Sequence, residues 1–279
     1  MQWTRIEGPA YSVCIVAVFI AIAIWETSRP LRGLSAPAER RWRNHGVMFV
    51  AALIVPLVLR VTPVALAVAV SGSPWGVLNK PWLPLALRYA IAIVLMDGLQ
   101  YWIHWSLHHV SLLWRIHQVH HSDQDYDVST AARFHPLEVL WTQGLHLAAI
   151  AWLAPPAGAM LIYVLLTETV NFTTHANASL PSRIDRILRL FLVTPDMHRI
   201  HHSEDMQEQR RNLGQTFAWW DRLFRSYQEK PAAQGTNFRT GLEELRDRDT
   251  LAVAFMLSEP FKKLRQEDPE AASRALSPE

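Results

Sequence analysis

The sequence predicts an all-α, integral-membrane helical bundle of about four membrane-embedded helices, topped by a cytoplasmic helical cap rich in histidine. Three observations predict it: long uncharged apolar runs, histidines recurring at helical spacing, and arginines crowded into one loop. Half of the 279 residues are hydrophobic and 19% are charged. The net charge of +2 gives no argument for nucleic acid as a partner. The single cysteine, Cys14, excludes an internal disulfide and any multi-cysteine metal site. Twelve tryptophans fit a protein that places rings at membrane interfaces.

The first run, Gly8 to Trp25, carries no charge and is about the length of a bilayer-spanning helix. It is followed by Glu26 and Arg29 rather than by a small-residue cleavage site, so it reads as a retained helix. The second, Gly46 to Val70, is long enough to span but holds Arg60 between Pro56 and Pro63. An intramembrane arginine must face protein, water or a headgroup, so this run is expected to be kinked or partly re-entrant. The third, roughly Trp82 to Ile103, includes Arg88 and Asp97 and leads straight into His104. Val139 to Val170 has Glu168 as its one charge and is divided by Pro155-Pro156-Ala157-Gly158, which predicts two antiparallel helices joined by a tight turn. Three segments follow: membrane helices and a basic loop over 1–96, a histidine-motif region over 97–230 with a helical hairpin at 138–174, and a C-terminal cytoplasmic segment over 231–279. The last stretch, about 266–279, reads as disordered.

Arg29, Arg32, Arg40, Arg41 and Arg43 crowd the loop between the first two runs, whereas residues 71–81 carry only Lys80. The positive-inside rule makes the arginine loop cytoplasmic. Counting spans then brings all the histidine clusters to that same side.

Those clusters share one pattern. His104 and His108 are four apart, and His117, His120 and His121 and then His198, His201 and His202 repeat helical spacing. Residues three or four apart share a helix face, so each set can hold a metal together. Neutral imidazole suits iron, zinc, copper or nickel. Eight such side chains are too many for one ion and suit two. His109 lies about 100° off the His104/His108 face and fits a surface position. His45 and His146 are most simply structural. Asp123, Asp125, Asp127, Asp196 and Glu138 are candidates to accept the imidazoles' outer N–H groups, or to act as solvated and capping carboxylates.

"YWIHWSLHH", "LLWRIHQVHHSD", "RFHPLE", "THAN" and "TPDMHRIHHS", with "NLGQTFAWWDRLFRSY" downstream, resemble the motif series of the membrane fatty acid hydroxylase/sterol desaturase superfamily over about residues 97–227. The resemblance implies a non-haem di-iron centre, ligated mainly by histidine, that uses O2 to hydroxylate or desaturate a lipid. It supports His104, His108, His117, His120, His121, His198, His201 and His202 as ligands and adds His175. Asn171 and His135 stand as ligands or as supports behind them. Leu213 stands where a tyrosine is common, and Arg225-Ser226 where Gly-Thr is common. No dinucleotide fingerprint is present, and His135-Pro136 continues as Leu-Glu rather than the Gly-Gly of a cytochrome b5-like module. Electrons are therefore expected from a separate ferredoxin- or cytochrome b5-type donor with its reductase. The ligands alone do not separate hydroxylation from desaturation; hydroxylation is favoured because the motif spacing resembles that branch of the superfamily. A histidine-lined metal transporter is disfavoured by clusters at helix ends, and a bis-histidine haem protein leaves most of the clusters unexplained. The Val139–Val170 hairpin is the expected wall of a lipid tunnel, with Leu166 near its metal end.

Overall fold

The computed structural model describes residues 2–233 and 235–262, so the tail expected to be disordered lies outside the described residues. Among them the regular elements are helical, with only two isolated β-bridges. The first apolar run forms α1 (Gln2–Ser28). The second breaks into α2 (Ala38–Ala52), α3 (Ile54–Leu59) and α4 (Pro63–Ala69). The break falls where the sequence predicts it. Arg60 adopts left-handed φ of 53°, and Pro63 opens the next helix with Thr62 as its cap. α1 and the α2–α4 stretch are long and apolar enough to cross a membrane.

The third run begins later and ends later than its apolar composition suggests. It forms α5 (Leu85–His109), which carries its helical geometry through His104 and His108. Val110 is extended and ends it, and α6 (Ser111–His121) packs back on it. Then come α7 (Pro136–Leu153) and α8 (Ala157–Thr174), joined by Ala154 in left-handed conformation and the Pro155-Pro156 pair. The two expected helices and their tight turn are present, but direct packing of one on the other is slight. The two helices meet at His146 and Tyr163 but pack mainly through α4 and α5, whose Val64, Ala67, Ala92 and Met96 fill the core between Ile150 and Met160.

α8 also packs along α1, and the two run in the same direction. Tyr11 meets Glu168, Cys14 meets Thr169, Phe19 meets Phe172, and Glu26 accepts from the Asn177 amide. The end of α1, with its arginine-rich loop, therefore lies beside His175. Short helices α9 (Ser182–Leu188), α10 (Pro195–His201), α11 (Met206–Gln209), α12 (Trp219–Leu223) and α13 (Val253–Ser258) follow α8.

Candidate metal centre

Four elements bring the histidines together. α5 supplies His104 and His108 from one face of its last turns, and α6 supplies His117, His120 and His121. α10 supplies His198 and His201, with His202 at its C-cap, and His175 caps α8. The nine fall into two adjacent groups. One holds His104, His108, His117, His121 and His201; the other holds His120, His175, His198 and His202, with nitrogens within 4.8 Å of one another in each. His121 and His202 stack across the boundary with centroids 4.4 Å apart. All nine are buried.

Buried imidazole nitrogens normally find a hydrogen-bond partner, and leaving one without costs roughly 1–3 kcal/mol. Seven of these nine, the exceptions being His104 and His175, have a buried nitrogen with no protein partner. In the second group, Nε2 of His175 lies 3.2 Å from Nε2 of both His120 and His198. Buried imidazoles gathered from several elements, most with a partnerless nitrogen, are a donor set that fits two metal ions. Desolvation first, and neighbouring imidazoles next, push His120, His121, His198 and His202 well below the ordinary 6.5, and His175 falls to about 4. They are neutral, as ligands must be.

Four rings are also aimed from behind. Nδ1 of His104 donates to the Leu213 carbonyl at 2.8 Å, that of His175 to Asn171 at 2.7 Å, and that of His201 to Arg211 at 2.9 Å. A carbonyl can only accept, so each ring carries its proton on Nδ1 and turns the Nε2 lone pair inward. His117 Nδ1 is held by Glu138 at 2.7 Å. The loop bearing Arg211 and Leu213 is itself pinned by Asp221, which accepts from the Leu213 and Gly214 amides at 2.7 and 2.9 Å.

The other named residues fall outside the two groups. Asn171 acts through its backbone, while its side chain bonds Ala131 and Gln215. His135 caps α7 by accepting from the Leu137 amide and faces the Leu257 carbonyl. His109 is exposed and stacks on Trp105. His45 bonds Ser129 and Arg133, and His146 bonds Thr142. Leu166 is half-buried on α8, nine residues before His175. Glu138 is the one acidic candidate that holds an imidazole of the two groups. Asp123 and Asp127 instead clamp Arg41, at 2.7–2.8 Å, and Asp196 pairs with Arg199 and Ser179. Burial raises Asp123, but Arg41, His45 and Arg133 outweigh it and hold the carboxyl far below its usual range. Arg41 thereby ties α2 to the end of α6.

The fatty acid hydroxylase family model matches residues 89–226, the stretch that supplies all nine histidines. The chain belongs to the fatty acid hydroxylase/sterol desaturase superfamily. Human alkylglycerol monooxygenase is 29% identical over 157 residues, covering 56% of this chain and 32% of the relative. Ornithine lipid hydroxylase OlsE of Rhizobium tropici is 28% identical over 154 residues, 55% of this chain and 46% of the relative. Mouse lathosterol oxidase is 26% identical over 173 residues, 62% and 56% respectively. The chain thus spans less than half the length of the first two relatives. No solved structure matches it.

The departures from the superfamily motif now have a structural setting. Leu213 is fully buried and serves His104 through its carbonyl, which any residue provides. Arg225, where glycine is common, adopts φ of 62°, a left-handed conformation that costs an L side chain roughly 1–2 kcal/mol. Ser226 keeps the hydroxyl of the common threonine and bonds Asp221 and Tyr101.

Proposed function

We propose that the protein is an integral-membrane, non-haem di-iron oxygenase that hydroxylates a lipid with O2. The observation that carries this reading is the set of nine buried histidines gathered in two groups, seven of them with a nitrogen that has no protein partner. His104, His108, His117, His121 and His201 would hold one iron, and His120, His175, His198 and His202 the other. The irons would supply O2 activation, which carries the hard chemistry.

The chain's own task is to orient, to exclude water and to position the lipid. The Leu213, Asn171 and Arg211 carbonyls and Glu138 fix ring tautomers before metal arrives. Tyr126, buried beside His175 and His202 and bonded to the Thr174 carbonyl, closes one flank against water. Electrons would come from a ferredoxin- or cytochrome b5-type protein with its reductase.

Four membrane-embedded elements, α1, α2–α4, α5 and the α7–α8 pair, form the bundle in this reading. Exposed Val13, Val16, Leu57 and Val58 on the first two support a lipid-facing surface. The parallel course of α1 and α8, together with the positive-inside bias, supports a cytoplasmic metal centre near headgroup depth. The lipid chain would enter laterally. An apolar cavity of about 150 Å³ between α1, α2 and α8, lined by Phe19, Phe49 and Phe172 among others, supports an approach from that side. It is smaller than the roughly 300 Å³ minimum of most ligand sites, so the substrate must widen it.

Two measurements test the proposal: iron content of the purified protein, and lipid analysis of cells with and without it. A hydroxylated lipid that depends on the protein and on His121 supports it. A new double bond would make it a desaturase, and metal uptake without any lipid change would make it a transporter.

A further inference from the structure

Two short segments of the cap, 183–191 and 217–225, turn apolar side chains outward. Ile184, Ile187, Leu190 and Phe191 on the first are about half exposed, and Leu223 and Phe224 on the second are exposed as well. The segments form one surface, because the Val193 amide donates to Thr216, the Ala218 amide donates to Phe191, and Leu192 bridges Phe217.

That surface is fastened to α5. Trp220 donates its indole N–H to Asp97 at 2.9 Å and lies so close over Gly98 that a Cβ there would meet its ring at 3.0 Å. Phe224 lies 4.7 Å from Trp102. At 1.5 Å rise per residue, Gly98 and Trp102 lie about 9 and 3 Å before His104 along the helix. The cap's apolar face therefore begins level with the last turns of the third apolar run, and its rings continue through Trp219 and Phe217. The exposed charges of the two segments are Arg183, Arg186, Arg222 and Arg225. Their two carboxylates are buried, Asp185 against Arg189 and Asp221 under the Leu213 loop.

We propose that this face is a second membrane attachment that docks the cap onto a bilayer surface bearing anionic headgroups. Its apolar side chains meet the acyl boundary and its four arginines meet the phosphates. The proposal rests on α5 being membrane-embedded, as read above. It adds that the loop carrying Leu213, and with it His104, is held at headgroup level from the cap side as well as from α5.

The test uses the full chain with Cys14→Ser and one nitroxide, at Ile187→Cys on the cap or at Leu95→Cys on the exposed side of α5. The protein is placed in nanodiscs of phosphatidylcholine with or without phosphatidylglycerol. Power saturation then reads collisions with O2, which concentrates in lipid, and with a nickel chelate, which stays in water. The proposal expects O2 to dominate at Ile187 as at Leu95. Arg183→Glu and Arg186→Glu should each shift Ile187 toward nickel by about fivefold in the anionic discs. Nickel dominance at Ile187 with Leu95 still in lipid would overturn the docking. Shielding of Ile187 from both reagents, marking a second copy or another protein, would overturn it too. Nickel dominance at Leu95 would reject the membrane reading of α5 and the docking together.

Discussion

His121 shows how the centre depends on single side chains, since neither of its ring nitrogens has a protein partner and it stacks on His202 across the two groups. Changing His121, His108 or His202 to alanine should abolish turnover and lower bound iron by about half or more, because in the proposed centre each is a ligand that no neighbour replaces. His146→Ala should leave iron nearly unchanged, since that ring bonds Thr142 and Tyr163 and belongs to neither histidine group. Metal analysis of the variants checks both, and iron lost from His146→Ala but kept by His121→Ala would reverse the assignment. Glu138→Gln keeps the shape but loses the charge that holds His117, and should weaken iron retention about 10–100-fold against a chelator. Arg225→Gly should raise stability by ~1 kcal/mol in denaturant unfolding, because glycine adopts the left-handed conformation without cost. A loss of stability would show that Arg225 makes contacts worth more than its strain. Much at this scale was legible in the sequence, because residues four apart on a helix must share a face. The supports were not. Leu213 is 109 positions from His104, and Glu138 is 21 from His117, so only tertiary packing brings them together.

Helix boundaries and partners show the same division. The break at Arg60 was legible from flanking prolines, and the turn at 154–156 from Pro-Pro. The separation of α7 from α8 was not, because a periodic apolar helix does not announce which neighbour it packs against. α2 also has a role its composition hides. Arg41, fully buried, clamps Asp123 and Asp127 directly after α6, and Arg133 joins the same network through His45. Arg41→Met leaves two carboxylates buried without their partner and should cost ~3–5 kcal/mol in an unfolding experiment. Wild-type stability in that variant would show the network to be dispensable. For the substrate path, α8 is the element in question. Leu166 is about 13 Å from His175 along the helix axis. A tryptophan scan of residues 160–170, Leu166→Trp included, should shift the oxidised position or remove long substrates while iron is retained. Unchanged regiochemistry across the scan would reject α8 as a tunnel wall.

For the whole molecule, the buried imidazoles set a pH limit on the metal-free protein. His120, His121, His175, His198, His201 and His202 are all depressed below 6.5, chiefly by burial. The unfolded chain therefore binds more protons than the fold once pH drops below about 6.5, and stability falls from there downward. Thermal unfolding after chelation should show this decline between pH 7 and 5, and a midpoint flat across that window would contradict the neutral, buried assignment. In the proposed orientation α1, α8 and the arginine loop, which meet beside His175, lie on the cytoplasmic side. A reporter fused after Glu279 should be active only on the cytoplasmic side. The central claim is that nine histidines hold two irons, and the most direct measurement is metal and optical analysis of the full chain purified from iron-replete cells. The account predicts about two irons per chain with no Soret band, and a parallel loss of iron in His108→Ala and His202→Ala, one from each group. A metal-free protein, or one holding a single haem, would contradict it.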